Sequence, residues 1–562
     1  LNFIPQKSIG AARRGAPTIN SHRYTHQLVL LLVFCFVLFS GTIIQAQEQI
    51  TNGTLTENTT SVERLFGFEA GDTVLIIARA TSGDLDTVLT LQDADGNVVA
   101  ENDDFNPDTY DSALAYTIPE SGSYTLILES FEGESTGDYA LSVTVGDESL
   151  LKVIDDMSRI ELSGPVLIRE TAHFRIHYTL EGADDTTEQY VDGLVDAAEK
   201  VWRIQIDEMG WPAPPPDGEE GGDDRYDIYI ASLKKSDGYT LGYTQPGEIV
   251  GDNPNTRTLE EYASDSYIVI ENDFSEERDS DLDPLSIMRT TFTHEFNHAI
   301  QFGYDYGDEQ SWYYEATSSW IETVTIPDDQ GATGYVSYNY TYPELCFGTT
   351  ADPDDGMLQY GDWLFIQSLV DAHGEGIVQA LWDSVADYEN FEVLEETLAD
   401  YDETIQQALA RYRVQNLVRD YALAPQFEAT VWLENTIRDM GSWTFIGEGV
   451  QEFGANYFYF KRPPGFYDFQ LTDDKGFLDL WAIGVRGDEA EAFDLRRGGT
   501  IDTQGYDYVY LMVFNPVYDD NVDECSYSSY NLDIQIANEV PQPPLTLTFD
   551  ASHFEPPVME DE

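Results

Sequence analysis

Short runs of alternating apolar and polar residues mark the first interpretable stretch of the chain. Residues 72–77 (DTVLII), 87–91 (TVLTL), 123–128 (SYTLIL) and 139–143 (YALSV) have the two-residue period of half-buried strands. Turn signals at Asp95-Gly96-Asn97 and Glu120-Ser121-Gly122 separate them. The pattern predicts a β-sandwich over residues 50–148. After a connector near 149–164 the period changes. Strands are expected at 172–178 (AHFRIHY), 226–230 (YDIYI) and 266–270 (SYIVI), with an amphipathic helix over 190–210. An apolar stripe through Leu285, Ile287, Met288, Ala299 and Ile300 predicts another helix, with Asp283-Pro284 as its start. Helices are expected again at 356–373 and 376–388. The pattern returns to strands at 457–460 (YFYF), 477–480 (FLDL), 508–513 (YVYLMV) and 530–534 (YNLDI). The expected architecture is therefore multidomain: a β-sandwich, an α+β domain over 165–430, and a C-terminal β-sandwich over 440–540. Residues 541–562 form an acidic, Pro-rich tail.

Composition changes the picture at the N-terminus. Lys7, Arg13, Arg14 and Arg23 precede an apolar run over 28–39, Ile44-Gln45-Ala46 offers a small residue for cleavage, and no acid precedes Glu48. The run is shorter than the roughly 20 apolar residues a membrane span needs. Residues 1–46 are thus expected to be a secretory signal peptide, leaving a secreted protein with no stable membrane insertion. The formal net charge of −76 would repel nucleic acid and anionic membranes, whose phosphates are held by Lys and Arg. With 42% hydrophobic and 13% aromatic residues, the acids coat folded domains rather than a disordered chain. Of three cysteines, Cys35 falls in the signal segment; Cys346 and Cys525 either pair or stay as buried thiols.

The chemistry concentrates in 291–322, TFTHEFNHAIQFGYDYGDEQSWYYEATSSWIE. His294 and His298 are four residues apart and so share one helix face, with Glu295 about 100° further round. Two imidazoles so placed can reach one metal ion while the glutamate holds a water beside it. HExxH alone recurs by chance in ordinary helices. Here the chain has only eight histidines, and Ala316 and Ser319 are small enough to let a second helix carrying Glu315 pack closely. His294, His298 and Glu315 are therefore the expected zinc ligands, with the remaining position left for water. Gln301 and Tyr304 stand where HExxHxxGxxH would require Gly and His, which excludes a third histidine of that type. The competing acids Glu309 and Glu322 are read as solvated groups or as supports behind the ligands. His173 and His177 share a strand face, but with no acid or Cys partner evident they are read as ordinary strand histidines.

Glu315-Ala316-Thr317-Ser318 resembles the E-[AG]-x-[AS] signature of glutamate-type zincins. HEFNHAIQFGYD followed by WYYEATSSWIE resembles more fully a family of secreted bacterial metalloproteases whose members often carry an N-terminal bacterial pre-peptidase C-terminal domain. That resemblance covers most of 165–425 and is specific around the zinc motif. It implies a zincin-like fold and hydrolysis of protein or peptide substrates by metal-activated water, with Glu295 as general base. By the same resemblance Tyr360, in YGDWLF, is the first candidate for oxyanion donor, with His373 and Tyr342 behind it. An edge strand beside the metal is expected to pair with extended peptide, and 267–271 is the candidate. LTLQDADGNVVAENDD, IPESGSYTLIL and GDYALSV resemble the pre-peptidase C-terminal domain itself, implying an accessory role in adhesion or secretion. There Asp84, Asp86, Asp103 and Asp104 offer oxygen donors for Ca2+, or are solvated turn residues. Two rival functions stay open: a non-catalytic adhesin on a zincin scaffold, and a zinc hydrolase of non-peptide amides or esters.

Overall fold

The computed structural model describes residues 47–557 except 57–58, 84, 104, 106–109, 134, 148–149, 152–158, 219, 236–237, 275–282, 307–311, 330, 351–352, 354–356, 474, 519–521, 523 and 539–544. The expected signal segment, Asp84, Asp104 and Glu309 lie outside the described residues. The chain divides into two compact units. One comprises Leu162–Asp217 and Arg225–Glu562, and the other is the N-terminal region to Glu161 with Gly218–Asp224.

Among the described residues the N-terminal unit holds eight strands: β1 (Gln47–Leu55), β2 (Ser61–Phe68), β3 (Thr73–Ala80), β4 (Thr87–Gln92), β5 (Val98–Asn102), β6 (Ser112–Thr117), β7 (Gly122–Ser130) and β8 (Gly137–Gly146). They form two four-stranded sheets, β1-β8-β3-β6 and β2-β7-β4-β5. Along β7 the side chains of Tyr124, Leu126 and Leu128 turn inward, and along β8 those of Tyr139, Leu141 and Val143 do so. These two rows come from different sheets and meet in one apolar core, which is how alternation becomes a sandwich. Among the described residues no metal-capable cluster of three side chains gathers in this unit.

The second unit is built around a mixed sheet. Its strands are β9 (Leu167–Glu170), β10 (Phe174–Tyr178), β11 (Tyr226–Ala231), β14 (Gly242–Gly251) and β15 (Ala263–Glu271), with a small ribbon of β12 (Lys234–Lys235) and β13 (Gly238–Tyr239) beside the main run. The order is β14-β15-β11-β10-β9, with β10, β11 and β15 parallel and the two outer strands antiparallel. This corrects the expected edge. Residues 267–271 lie in β15, an interior strand buried along its whole length, and the edge beside it is β14. Continuous burial on both faces is what makes SYIVI apolar without alternation. The sequence of β14, GYTQPGEIVG, carries a proline that only an edge or a bulge accommodates, and the strand has register shifts at Pro246/Ile249 and Ile249/Gly251.

Helix α1 (Glu188–Trp202) starts where the Thr187 hydroxyl accepts from the Tyr190 N–H. Helix α2 (Pro284–Phe302) has Asp283 as cap, accepting from the Leu285 and Ser286 N–H groups, with proline in its first turn. Gly193 of α1 brings the two helices together, since a Cβ there would meet the Leu285 side chain at 3.2 Å. Phe292 and Phe296 of α2 pack edge-on against Phe174 of the sheet. Helix α3 (Trp312–Thr325) lies next to α2.

The remaining helices are α4 (Val336–Thr341), α5 (Met357–Gly361), α6 (Trp363–His373), α7 (Gly376–Val385), α8 (Phe391–Ala399) and α9 (Ile405–Val418). The helix expected over 356–373 is thus two, broken at Asp362. Beyond them, strands between Asn435 and Asp550 form a six-stranded and a four-stranded sheet. The tail supplies one of these strands, Leu545–Asp550, paired antiparallel with Glu489–Arg496. Alternate residues of the six-stranded sheet serve two cores. Leu480 and Ala482 face the four-stranded sheet, whereas Trp481 and Ile483 join the helical core. The helical and C-terminal β regions therefore share one compact unit. A disulfide between Cys346 and Cys525 spans them. No helix among the described residues is long and apolar enough to cross a membrane.

Candidate metal centre

Helical spacing places His294 and His298 on one side of α2, their rings 4.7 Å apart. Both are buried, as is Glu295. Glu315, in the first turn of α3, is fully buried and meets both rings: its Oε2 lies 3.0 Å from His294 Nε2 and 3.7 Å from His298 Nε2. One nitrogen or oxygen from each of the three residues falls within 4.8 Å of the others. Ala316 and Ser319 are fully buried in α3, and Ser318 reaches α2 through Asn297 and His298.

The outer ring nitrogens are also occupied. His294 Nδ1 is 2.8 Å from Glu322 Oε1, and His298 Nδ1 is 2.8 Å from Gln301 Oε1. Gln301 is fixed in turn, donating from Nε2 to Asn297 Oδ1, the Tyr314 carbonyl and Ser318 Oγ. Glu322 is thus not solvated. It is buried, seven residues after Glu315 on the same helix face, and it orients the first histidine.

Charge follows from this packing. Burial alone would lower the His294 pKa, but the carboxylates of Glu315 and Glu322 hold it up at about 10. Burial would raise Glu315, yet His298 and His294 bring it down to about 2. Burial lifts Glu295 above the ordinary carboxylate range, with the two histidines pulling the other way. Glu295 Oε2 accepts a hydrogen bond from Thr244 Oγ1 at 2.9 Å.

Tyr360 of α5 lies at the cluster. Its ring stacks on His294 with centroids 5.8 Å apart. Burial, then the charge of Glu315, pushes the phenol well above its usual range, so it stays a donor. Gly361 is required beside it, because a Cβ there would meet Asn339 Oδ1 at 1.8 Å. The other two oxyanion candidates sit in other settings. His373 ends α6 with its Nε2 2.7 Å from Glu403 Oε2, and Tyr342 caps α4 through its N–H to the Tyr338 carbonyl. His173 and His177 do have acid partners, contrary to expectation: Glu199 at 2.9 Å and Asp227 at 2.8 Å. Neither joins a metal-capable group among the described residues. Sequence reasoning missed Thr244 and the role of Gln301. For Glu322, already read as a solvated group or a support, the seven-residue step from Glu315 was the signal.

The donor set fits a zinc ion. Two ligands about 2.05 Å from a tetrahedral ion stand roughly 3.3 Å apart, and the separations from Glu315 Oε2 to the two imidazoles bracket that spacing. Glu315 Oε1 is buried with no hydrogen-bond partner, an oxygen that a cation would satisfy.

No protein-family model matches the chain, and no curated protein matches it. Among solved structures, the ZmpB metallopeptidase from Clostridium perfringens is similar at 11% identity, over 84% of this chain and 96% of that one, with a TM-score of 0.26. The catalytic module of the metalloprotease ZmpA from the same organism is similar at 10% identity, over 83% and 92%, with a TM-score of 0.21. The pre-peptidase C-terminal domain of a Bacillus anthracis collagenase is similar at 16% identity, over 17% and 88%, with a TM-score of 0.15. Scores this low carry no weight for function, which has to be read from the side chains.

Proposed function

We propose that the protein is a secreted zinc-dependent endopeptidase acting on protein or peptide substrates. The observation that carries this is the convergence of His294, His298 and Glu315, with one Glu315 oxygen shared between two imidazoles and the other unbonded. Zinc held by these three residues would supply a Lewis acid for the scissile carbonyl and a water acidified to a pKa of about 7. Glu295, whose burial favours proton uptake, takes the proton of the attacking water and passes it to the leaving amine. Tyr360, kept protonated, donates to the developing oxyanion. Glu322 and Gln301 hold the two imidazoles in the tautomer that leaves Nε2 free to ligate. The outer edge of β14 offers main-chain groups to an extended substrate.

The test is hydrolysis of casein by the purified protein together with elemental analysis. One zinc per chain, and activity removed by a chelator and restored by zinc, is the expected result. Casein left intact by stoichiometrically loaded protein would sink the endopeptidase reading.

A further inference from the structure

Edge strand β14 touches α2 at the base itself. Thr244 is mostly buried, and its Oγ1 lies 2.7 Å from the Glu295 carbonyl oxygen and 2.9 Å from Glu295 Oε2. Two residues earlier, Gly242 leaves no room for a side chain. A Cβ there would stand 2.8 Å from Thr291 Cγ2 and 3.3 Å from Glu295 Cγ. The strand is held down on the other side by β15, where Thr244 pairs with Ile268. The Thr244 hydroxyl therefore comes from a backbone with little freedom to shift, and its proton is shared between two oxygens of the same glutamate.

We infer that Thr244 is a positioning residue for the base. Its hydroxyl fixes Oε2 of Glu295, which leaves Oε1 as the oxygen that meets the attacking water, and it ties the substrate-binding edge to the active helix. Glu295 has several rotamers, and a carboxylate displaced by about 1 Å from its working place can cost a hundredfold in rate. Thr244 donates a hydrogen bond throughout and gives up no proton. The proton lost by water goes to Glu295 and then to the amine nitrogen. The inference rests on the peptidase reading above, and the test separates the two.

Thr244→Val keeps the shape and deletes the hydroxyl; Thr244→Ser keeps the hydroxyl. Expected is a kcat about 10–100-fold lower for the valine variant, with KM within about threefold of the parent, and a serine variant within about threefold of the parent in both. Zinc content and melting temperature should be unchanged in both. A crystal structure of the valine variant without zinc should show the Glu295 carboxylate moved or split between rotamers. Unchanged kcat in the valine variant overturns the inference, as does serine impaired as severely as valine. Should valine prevent folding, Thr244→Ala measured against Thr244→Ser gives the same comparison. Should the parent protein hydrolyse no peptide, the peptidase reading fails and the Glu295 position in the variant structure alone decides on Thr244.

Discussion

His173 and His177 face carboxylates at 2.9 and 2.8 Å, separations no longer than that between His294 and Glu315. Each is a one-to-one pair, and each ring is stacked on a flat neighbour, Trp202 and Tyr229, both at 4.3 Å. An unbonded carboxylate oxygen does not separate the sites either, since Asp227 Oδ2 is buried without a partner as Glu315 Oε1 is. What differs is convergence. Glu315 Oε2 is shared by two imidazole nitrogens, and both of those rings are held from behind by other side chains. A short histidine–carboxylate contact is therefore a poor sign of a metal site, and a carboxylate that several imidazoles share is a better one.

That contrast can be broken most severely at the shared acid. Glu315→Ala should abolish both stoichiometric zinc, measured by elemental analysis, and peptide hydrolysis. Next comes Glu295→Gln, expected to lower kcat by about 10^2–10^4-fold while zinc content stays at the parent level. Full turnover in that variant would remove the base from the scheme. Glu322→Gln should weaken zinc affinity by about 10–100-fold, read by competition with a chelating dye, because His294 loses the charge behind it.

Acidity sharpens the comparison further. In the metal-free protein His294 holds its proton up to about pH 10, so zinc must displace that proton at neutral pH. Zinc affinity should then rise about tenfold per pH unit between pH 7 and 9, and calorimetry in buffers of different ionisation enthalpy should detect the released proton. A pH-independent affinity would contradict a protonated His294. The smallest effect is reserved for the control pair. His177→Gln should leave zinc affinity unchanged, because that ring engages Asp227 and Tyr229 and joins no metal-capable group among the described residues.

Much of the centre was legible in the chain because its signal is local. The four-residue step between His294 and His298, and the small residues flanking Glu315, are set by helical geometry within one short segment. Tyr360 came from a resemblance rather than from any spacing, and the fold places it on His294. What escaped depends on distant pairing. Thr244 reaches Glu295 only because β14 closes the sheet beside β15, and its strand carries Gly and Pro in place of alternation. The acids beside His173 and His177 arrive from α1 and β11, far along the chain. The tail was read from its prolines and acids, yet residues 545–550 find a partner strand that composition cannot foresee.

The bond between Cys346 and Cys525 joins positions 179 residues apart within one compact unit. If the proposed activity holds, copies of the protein would nick one another at surface loops such as those between the later strands. A single cut anywhere between those two cysteines yields fragments that still travel as one molecule until a reductant is added. Intact size on a non-reducing gel would thus coexist with two bands on a reducing one, and the nicked form would keep its β-sheets attached to the helices that carry His294, His298 and Glu315.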